Sequence, residues 1–420
     1  MHPRRLVISA LLAATPVLAF AADEWPEYRG PTADGHAAPH ARPPVRWSET
    51  ENVRWKTAVH GKGWSSPVIW DNQVWMTTAT PDAKERYVVC LDRETGKVVH
   101  DFKLYDDPMP QFHIEFNSAA SPTPTIEAGR VYIHFGSTGT ACLDTATAKT
   151  IWERRDLPCN HWRGAGSSPI IYKDLLIVAF DGYDLQYVVA LDKHTGKTVW
   201  KTDRNFEYSK DDGDLKKAYS TARVITVNGR DELISPSAEA TVAYDPMTGK
   251  ELWRVIHGGM NAALRPVFGD GLVFLTTASG GKQLVAVRPG GHGDVSKDHI
   301  AWNYMRQVPT RSSPILVDNI LYFVHDKGAL GAVEARTGKE VKKDSDKPRI
   351  GTAFTASPIY AGGRLYFFDE LGNGVVVKPG RDYAVEAKNR LDEGCMASPA
   401  AVGNALYVRT RTHVYRIEGR

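Results

Sequence analysis

The sequence repeats one short motif eight times, and this repetition constrains the fold more than any other feature. In each copy a small residue or two followed by proline opens an apolar stretch, and the copies lie roughly 40 to 55 residues apart. Because this period is typical of propellers and solenoids, we predict a tandem array. The copies are Ser65-Ser66-Pro67, Ser121-Pro122, Ser168-Pro169, Ser220-Thr221-Ala222 (proline missing), Arg265-Pro266, Ser313-Pro314, Ser357-Pro358 and Ser398-Pro399.

Two further landmarks follow the opening motif. A turn of Gly, Asn or Asp precedes about four to six β-branched, aromatic or aliphatic residues in every copy, as in DNQVWMTT from Asp71. In five copies a second hairpin follows, as in LDKHTGKTVW from Leu191. Four strands per copy without a helical period describe one propeller blade. We therefore predict an all-β protein, an eight-bladed β-propeller of four-stranded antiparallel blades.

The two ends of the repeat array complement each other. The eighth copy stops after HVYRIEGR and lacks a fourth strand, whereas NVRWKTAV at Asn52 to Val59 resembles a fourth strand with no copy before it. We predict that this N-terminal strand completes the last blade and closes the ring, which removes two exposed sheet edges.

A tryptophan recurs near the end of the fourth strand. Because an indole buries a large area, we interpret these residues as packing wedges between blades. They are Trp55, Trp152, Trp200, Trp253 and Trp302.

The chain divides into three predicted parts. Residues 1–21 have a basic start at Arg4-Arg5, an apolar run from Leu6 to Phe20 and Ala19-Phe20-Ala21 as a cleavage site, which predicts a secretory signal peptide. An uncleaved anchor is the alternative. Residues 22–50 are predicted to form an extended arm and residues 51–420 the propeller. We expect a protein exported to the periplasm or beyond the cell, soluble after cleavage and monomeric.

The charge balance excludes some partners. Lys and Arg number 52 and Asp and Glu number 49, a formal net charge of +3. Such a small excess does not favour nucleic acid or an anionic membrane surface.

The four cysteines divide into two pairs. Cys90 and Cys142 occupy the position of Ala190 in the third copy and are interpreted as small core residues. Cys159 and Cys395 both precede first strands and could lie on one face, so a disulfide between them stays open in an exported protein.

Segments that connect consecutive blades converge on one face near the axis of a propeller, and ligand-binding residues are expected there. Aromatic rings beside arginines and histidines suit an anionic, planar or carbohydrate-like ligand. The alternative is that these side chains only plug the axis. The predicted binding residues are Trp64, His113, His161, Trp162, Arg163, Arg265, Arg311 and Phe354, with Phe112 and Phe116 beside them.

Metal-binding and catalytic motifs are weak. Asp181 with Asp184, and Asp369 with Glu370, are closely spaced carboxylates that could hold calcium, although acidic turn residues usually face water. The axis-facing histidines form no His-x-x-x-His pair, and no Gly-x-Ser-x-Gly elbow is present. We therefore predict neither a catalytic residue nor a metal ligand.

Together these motifs resemble the PQQ-like, or quinoprotein-type, β-propeller repeat, with its small-Pro opening and closing T-G-K-x-x-W. The chain is similar to secreted bacterial proteins of this family whose mature N-terminus carries Trp-Pro-x-x-Arg-Gly-Pro, here from Trp25 to Pro31. It is also similar to the eight-bladed outer-membrane assembly factor BamB. We expect Trp25, Tyr28 and Trp47 to attach the N-terminal arm to the ring by burying aromatic area. Arg29 is expected to pair with a carboxylate of the ring or to contact a ligand.

The resemblance implies two functions. Quinoprotein dehydrogenases place PQQ on the axis between a tryptophan floor and a disulfide of adjacent cysteines, with calcium nearby, and this sequence has no Cys-Cys. BamB-type proteins are lipid-anchored, and no cysteine stands at the predicted cleavage site. The first hypothesis is an exported non-catalytic binding or scaffold propeller that takes a protein, small-molecule or glycan ligand at its axial face. The alternative is a PQQ-dependent oxidoreductase that uses the axial pocket; a lectin is a third.

Overall fold

The computed structural model describes residues 23–419, so the predicted signal peptide lies outside the described residues. Eight separate sheets surround a common axis, and the innermost strands of neighbouring sheets contact one another. The protein is an eight-bladed β-propeller, as the repeats predict.

The N-terminal half of the ring contains blades 1 to 4. Strand β1 (Val53–Ala58) belongs to the last blade, and each blade begins with its innermost strand. The strands of these blades are β2 (Val68–Trp70), β3 (Gln73–Ala79), β4 (Glu85–Asp92) and β5 (Val98–Asp106); β6 (Thr125–Glu127), β7 (Arg130–His134), β8 (Thr140–Asp144) and β9 (Thr150–Arg154); β10 (Ile170–Tyr172), β11 (Leu175–Asp181), β12 (Gln186–Asp192) and β13 (Thr198–Asp203); β14 (Arg223–Val227), β15 (Arg230–Pro236), β16 (Ala240–Tyr244) and β17 (Glu251–Ile256).

Blades 5 to 8 complete the ring. Their strands are β18 (Val267–Gly269), β19 (Leu272–Thr277), β20 (Gln283–Val287) and β22 (Ile300–Tyr304); β23 (Ile315–Val317), β24 (Ile320–Val324) and β25 (Leu330–Glu334); β26 (Ile359–Ala361), β27 (Arg364–Phe368), β28 (Asn373–Val377) and β29 (Val385–Arg390); β30 (Ala400–Val402), β31 (Ala405–Arg409) and β32 (His413–Glu418). The described residues include two short helices, the single turn α1 (Gly213–Lys216) and a 3₁₀ turn at Asp344–Asp346. None of the helices among residues 23–419 has the length and apolar composition needed to span a bilayer.

Two blades depart from four strands. The long glycine-bearing loop of blade 5 returns as β21 (Gly293–Asp294), which pairs in parallel with β17 and gives blade 4 a fifth strand. Blade 6 has three strands, and residues 339–349 cover its outer edge through the isolated bridges Val333 to Glu340 and Ala329 to Arg349. Residues 342–347 are all charged or serine, so they lack the alternating apolar side chains of a packed strand.

The ring closes through the N-terminal strand, as predicted. β1 runs antiparallel to β32, with Val53 opposite Ile417 and Thr57 opposite Val414. Blade 8 is therefore built from both ends of the described chain, and its fourth strand precedes blade 1 in sequence.

The recurrent tryptophans lie between blades. In four of them the indole Nε1 donates to a backbone carbonyl of the next blade: Trp55 to Arg93 at 3.0 Å, Trp152 to Lys193 at 2.9 Å, Trp200 to Pro246 at 3.1 Å and Trp302 to Ala335 at 2.9 Å. Trp253 instead donates to the buried Glu232 at 2.7 Å, because blade 5 has no Thr-Gly turn to receive it.

The residue before each proline joins neighbouring blades. The backbone N–H of Ser66 donates to Thr123 Oγ1, that of Thr123 to Ser168 Oγ and that of Ser168 to Thr221 Oγ1. Arg265, Ser313 and Ser357 continue the pattern, and Ser398 donates back to Ser66 Oγ at 3.1 Å. These residues form a hydroxyl ring around the axis that is interrupted at Arg265. The ring assigns the opening of blade 2 to Thr123-Pro124, so our placement of it at Ser121-Pro122 is wrong by two residues.

Residues 25–36 of the arm cross the centre of the ring. Trp25 pairs with Ile69 of blade 1, and the Pro26 carbonyl accepts the N–H of Ile126 in blade 2 at 2.8 Å. On the far side, Arg29 donates to the carbonyls of Pro314 at 2.9 Å and Pro358 at 3.4 Å. Arg29 thus bonds to backbone carbonyls and not to the carboxylate we expected. Trp25 and Trp47 are both buried, and Tyr28 is half-buried.

All four cysteines are buried and free. Cys159 packs in the core between blades 2 and 3, whereas Cys395 belongs to a separate core formed by blades 7, 8 and 1. Cys159 and Cys395, for which the sequence allowed a disulfide, are therefore not bonded to each other. Burial raises the pKa of both thiols, which keeps them protonated and unreactive.

Candidate functional site

The blade-to-blade connections surround several adjoining cavities on one face of the ring. The first, here called the axial well, has a volume of about 130 Å³ and is lined by residues of the hydroxyl ring together with Tyr28 of the arm. The second, here called the side cavity, has a volume of about 340 Å³ and lies toward blades 3, 4 and 5. Phe116, Asn117 and Arg311 line both, so the two cavities form one concave site.

The side cavity is positively charged. Arg163, Lys282 and Arg311 line it, and no carboxylate does. The guanidinium of Arg311 lies 4.3 Å from the centroid of the Phe116 ring, and its Nη1 is 3.3 Å from Glu370 Oε1 outside the cavity. Arg163 Nη2 is 3.6 Å from Asp214 Oδ1. These three cations favour an anionic ligand.

Asp214 does not cancel the charge of Arg163, because it is shared. Its carboxylate also accepts a hydrogen bond from Lys217, whose side chain is fully buried. The hydrogen bond from Lys217 is the main cause that lowers the pKa of Asp214, and burial lowers the pKa of Lys217. The group of Arg163, Lys217 and Asp214 keeps a net positive charge when all three are ionised.

Two residues that line the side cavity each have a buried polar atom without a hydrogen-bond partner among residues 23–419: Tyr219 Oη and Asn261 Oδ1. Burial is the main cause that raises the pKa of Tyr219, so its hydroxyl stays protonated. Asn261 has a φ of 58°, in the left-handed region that asparagine tolerates better than most residues. Buried polar groups are almost always hydrogen-bonded, so these two atoms need an explanation.

The close approach of Tyr219 depends on a glycine in the neighbouring blade connection. A Cβ placed on Gly166 would lie 2.8 Å from Tyr219 Cβ, a distance that real Cβ atoms do not reach. Gly166 lines both cavities. The absent side chain of Gly166 leaves the space that Tyr219 occupies.

Three of the predicted binding residues meet at this concave site. Trp64 lines the axial well, Arg163 lines the side cavity and Arg311 lines both. The Trp64 indole Nε1 donates to the carbonyl of Phe116 at 3.0 Å. This bond ties the Trp64 ring to the connection between blades 1 and 2, which carries Phe112, His113 and Phe116.

His113 and His161 lie to one side of the concave site. They line a separate cavity of about 30 Å³, where His161 Nε2 accepts the backbone N–H of Ser137 at 3.1 Å. Burial lowers the pKa of His161 to about 4 and also lowers that of His113. This cavity shares no lining residue with the axial well, so His113 and His161 are separate from the well.

Trp162 is at the surface. Its ring is part of an exposed aromatic cluster with Phe112, at a centroid distance of 6.0 Å, and Tyr183, at 5.3 Å. Trp162 has a φ of 59°, which is rare for a bulky residue and costs backbone free energy. A strained backbone that presents an exposed indole is typical of an interaction surface.

The structure places the other two predicted binding residues away from the cavities. Arg265 is 2% exposed, and its guanidinium donates to the carbonyls of Ala222 and Tyr28 and to Glu27 Oε1. Phe354 is fully buried in the core between blades 6 and 7. Arg265 therefore holds the arm, and Phe354 packs in the core. We had expected both side chains to line the axial mouth, and neither does.

The acidic side chains of these loops are hydrogen-bonded to other residues of the protein, although Asp184 itself is exposed to solvent. Asp181 forms a buried ion pair with Arg204 at 2.8 Å, and Asp184 accepts the N–H of Asn160 at 2.7 Å. Asp369 accepts the side-chain N–H of Asn373 at 2.7 Å, and Glu370 bonds to Thr355 and Arg311. In the described part of the chain, no group of three or more His, Cys, Asp or Glu residues could hold a metal ion.

Sequence reasoning missed Tyr219, Asn261 and Lys282 as lining residues, and it expected Tyr28 only to attach the arm to the ring. Tyr219 and Asn261 stand in the connections SKDDGDLKKAYSTA and HGGMNAALRP, which were expected to face the axis, but neither residue type stood out there. Lys282 follows Gly280 and Gly281 in a loop between second and third strands. These residues could have been found from their positions in the connections and loops at the axial face of each blade, but not from their residue types.

Comparison with known families gives one match that spans nearly the whole described chain. The family model described as outer membrane protein assembly factor BamB matches residues 48–186 and 184–420. Among proteins with curated functions, none matches the sequence significantly.

Solved structures with the same fold include a BamB protein and two dehydrogenases. BamB from Moraxella catarrhalis is 13% identical with a TM-score of 0.59, covering 87% of this chain and 99% of its own. A europium-containing methanol dehydrogenase is 11% identical with a TM-score of 0.68, covering 92% and 89%. Quinohemoprotein alcohol dehydrogenase from Comamonas testosteroni is 12% identical with a TM-score of 0.64, covering 95% and 81%. At such identities the likeness shows the fold alone.

Proposed function

Because the chain belongs to the PQQ-like propeller family described as outer membrane protein assembly factor BamB, we propose that it is an exported, non-catalytic binding propeller. It binds its partner through the face formed by the blade-to-blade connections. The observation that carries this proposal is that Asp181, Asp369 and Glu370, three of the four acidic side chains considered as metal ligands, are buried or partly buried and already bonded within the protein.

The residues around the axis do not fit a quinone with its calcium ion. The axial well is lined in part by Tyr28 of the arm, and its lining contains no carboxylate. Asp181 and Asp369 are 4% and 0% exposed and already bonded to Arg204 and Asn373. Binding a calcium ion would break these buried interactions. The four cysteines of the sequence include no adjacent pair.

The exposed aromatic cluster supports the binding role. Phe112, Trp162 and Tyr183 present apolar area to solvent beside a concave, positively charged site. Monomeric proteins rarely leave grouped aromatic rings exposed unless a partner covers them. Export to the cell envelope is part of the same proposal and rests on the predicted signal peptide at residues 1–21.

Mixing the purified protein with PQQ and calcium tests the enzymatic alternative. We expect no quinone uptake by calorimetry and no dye reduction with alcohols or sugars. Stoichiometric quinone binding with turnover would replace the proposed function by an oxidoreductase.

Native mass spectrometry of protein isolated from its source tests the binding role. We expect added mass from a retained partner, and we expect Trp162→Gly to lose it, since glycine keeps the left-handed backbone and removes the ring. Met305→Ser, a change at a methionine that is 66% exposed, is the matched control and should retain the partner. Retention by the Trp162 variant would show that the cluster is not the binding surface.

A further inference from the structure

We infer that the exposed aromatic cluster docks an apolar, arginine-bearing segment of a partner protein. This inference rests on the proposed function and states the chemistry of the partner. The loops that carry the cluster are joined by hydrogen bonds, their apolar side chains are open to solvent, and a carboxylate with a free oxygen lies beside the rings.

The three loops that carry the cluster are fixed to one another. Gln111 of the first loop accepts the backbone N–H of His161 at 2.9 Å, next to Trp162 in the second loop. The carbonyl of Asn160 in the second loop accepts the N–H of Tyr183 in the third at 2.7 Å. Because the loops are joined before any partner binds, less conformational entropy is lost on docking.

The surface of the cluster is apolar and open to solvent. Phe112 is 60% exposed, and Met109 on the same loop is 88% exposed. Residues 108–114 of this loop contain no Lys, Arg, Asp or Glu. Exposed apolar runs of this kind mark an interaction surface in a soluble protein.

The same loops carry an excess of negative charge. They contain four Asp or Glu and two Arg, whereas the whole chain has a net charge of +3. Arg163 already lies 3.6 Å from Asp214 Oδ1. Arg155 covers the Tyr105 ring at 4.9 Å. Charge complementarity therefore favours a cationic partner. The loops are residues 107–124, 155–169 and 182–185.

Asp184 places this negative charge beside the rings. It directly follows Tyr183, and its Oδ1 accepts the backbone N–H groups of Asn160 at 2.7 Å and Leu185 at 2.8 Å. Asp184 is exposed, and its Oδ2 accepts no hydrogen bond within residues 23–419. A guanidinium suits this arrangement, because it stacks on an aromatic face and donates to a carboxylate oxygen at the same time.

Other occupants match the surface less well. Asp184 and the exposed Glu115 repel an anionic membrane surface or an acidic polysaccharide. A neutral saccharide stacks on aromatic rings but brings no cation to the carboxylate. A segment with arginine beside aliphatic or aromatic residues satisfies both the rings and the charge.

Selection from a random dodecapeptide display library on the full protein tests the chemistry of the partner. Counter-selection on Trp162→Gly removes peptides that bind elsewhere, since this variant lacks the central ring of the cluster. We expect the enriched peptides to contain arginine beside aliphatic or aromatic residues. Enrichment of acidic or uncharged peptides, or no enrichment over the library, would overturn the inference.

Matched variants place the docked arginine at Asp184. Replacing arginine by citrulline in an enriched peptide removes the charge and should weaken binding about fivefold in calorimetry. Asp184→Asn keeps the Oδ1 acceptor and should weaken the arginine peptide about threefold without affecting the citrulline peptide. Asp144→Asn is the control, because Asp144 Oδ1 likewise accepts the N–H groups of a turn, at Ala146 and Thr147. Equal effects of the two variants would contradict the assignment.

The failure of this inference is distinguishable from the failure of the proposed function. Quinone-dependent turnover would overturn the proposed function whatever the peptides do. If Trp162→Gly loses the native partner but the enriched peptides lack arginine, only the chemistry of the partner is overturned.

Discussion

Three histidines show how burial decides the behaviour of single residues in this propeller. His134 is 1% exposed and its Nδ1 lies 2.8 Å from Thr140 Oγ1, while His161 packs against Phe180 and Cys159. Burial lowers the pKa of His134 to about 3 and that of His161 to about 4. Burial also lowers the pKa of His257, whose Nε2 lies 3.0 Å from Thr241 Oγ1. All three are therefore held neutral near pH 7.

The buried histidines predict acid sensitivity. Their folded pKa values lie below the ordinary value near 6.5, so the unfolded chain binds more protons and stability falls as pH decreases from about 6.5 toward 4. We expect His161→Gln to reduce the slope of unfolding free energy against pH by about 1 kcal/mol per unit between pH 6 and 5. Urea unfolding at several pH values measures this slope. His292→Gln, at an exposed histidine, is the control, and equal slopes for both variants would contradict the prediction.

At the residue level, the sequence predicted which connections lie at the axial face better than it predicted what each side chain does there. Trp64, Arg163 and Arg311 reach the concave site, because they stand in connections that the fold brings there. Arg265 stands in the hydroxyl ring, where its long side chain extends to the arm instead of the mouth. A sequence does not specify which way a side chain points from such a position. It also cannot reveal that Tyr219 Oη lacks a partner, since that depends on packing from three connections.

At the level of elements, each Thr-Gly turn receives the tryptophan of the preceding blade. A Cβ on Gly196 would lie 2.6 Å from the Trp152 ring, and Gly249 and Gly338 are equally close to Trp200 and Trp302. Glycine therefore serves both the positive φ of the turn and the close approach of an indole. The strands and turns could be predicted from sequence because their signals are local and repeated. The extra strand in blade 4 could not, because it depends on a contact between blades.

Replacing Gly196 by alanine separates these two roles. Gly196→Ala should lower the unfolding free energy by about 1–2 kcal/mol for the left-handed backbone and by about 1–3 kcal/mol more for overlap with Trp152. Gly229→Ala is the matched control, since its φ is 79° but no atom lies within 4 Å of the added Cβ. It should show only the backbone cost in urea unfolding. Equal losses for both variants would mean that the indole gives way without cost.

On the scale of the whole molecule, the arm is part of the propeller core. Residues 25–36 contact inner strands on opposite sides of the axis, so the centre of the ring is filled by the chain's own N-terminal segment. Burial is the main cause that raises the pKa of Glu27, and Arg265 opposes this rise. The interruption of the hydroxyl ring at blade 5 thus provides the anchor of the arm.

Replacing Arg265 by serine tests how much its contacts with the arm contribute to stability. Arg265→Ser supplies the missing hydroxyl but leaves Glu27 without its buried cation, and we expect a loss of about 3 kcal/mol in unfolding free energy. Adding Glu27→Gln should recover part of this loss, because it removes the unpaired charge. Urea unfolding of the single and double variants measures both effects. If Arg265→Ser is as stable as the wild type, the added hydrogen bond in the hydroxyl ring offsets the lost contacts with the arm.

The pairing of β1 with β32 also sets the order in which the molecule can form. Seven blades contain neighbouring hairpins that can assemble as the polypeptide leaves the ribosome, but Val53 meets Ile417 only after roughly 360 further residues have been made. Closing so long a loop is slow, and β1 meanwhile presents an unpaired edge to other chains. Joining the two termini is therefore the last and most aggregation-prone step in the biogenesis of this ring.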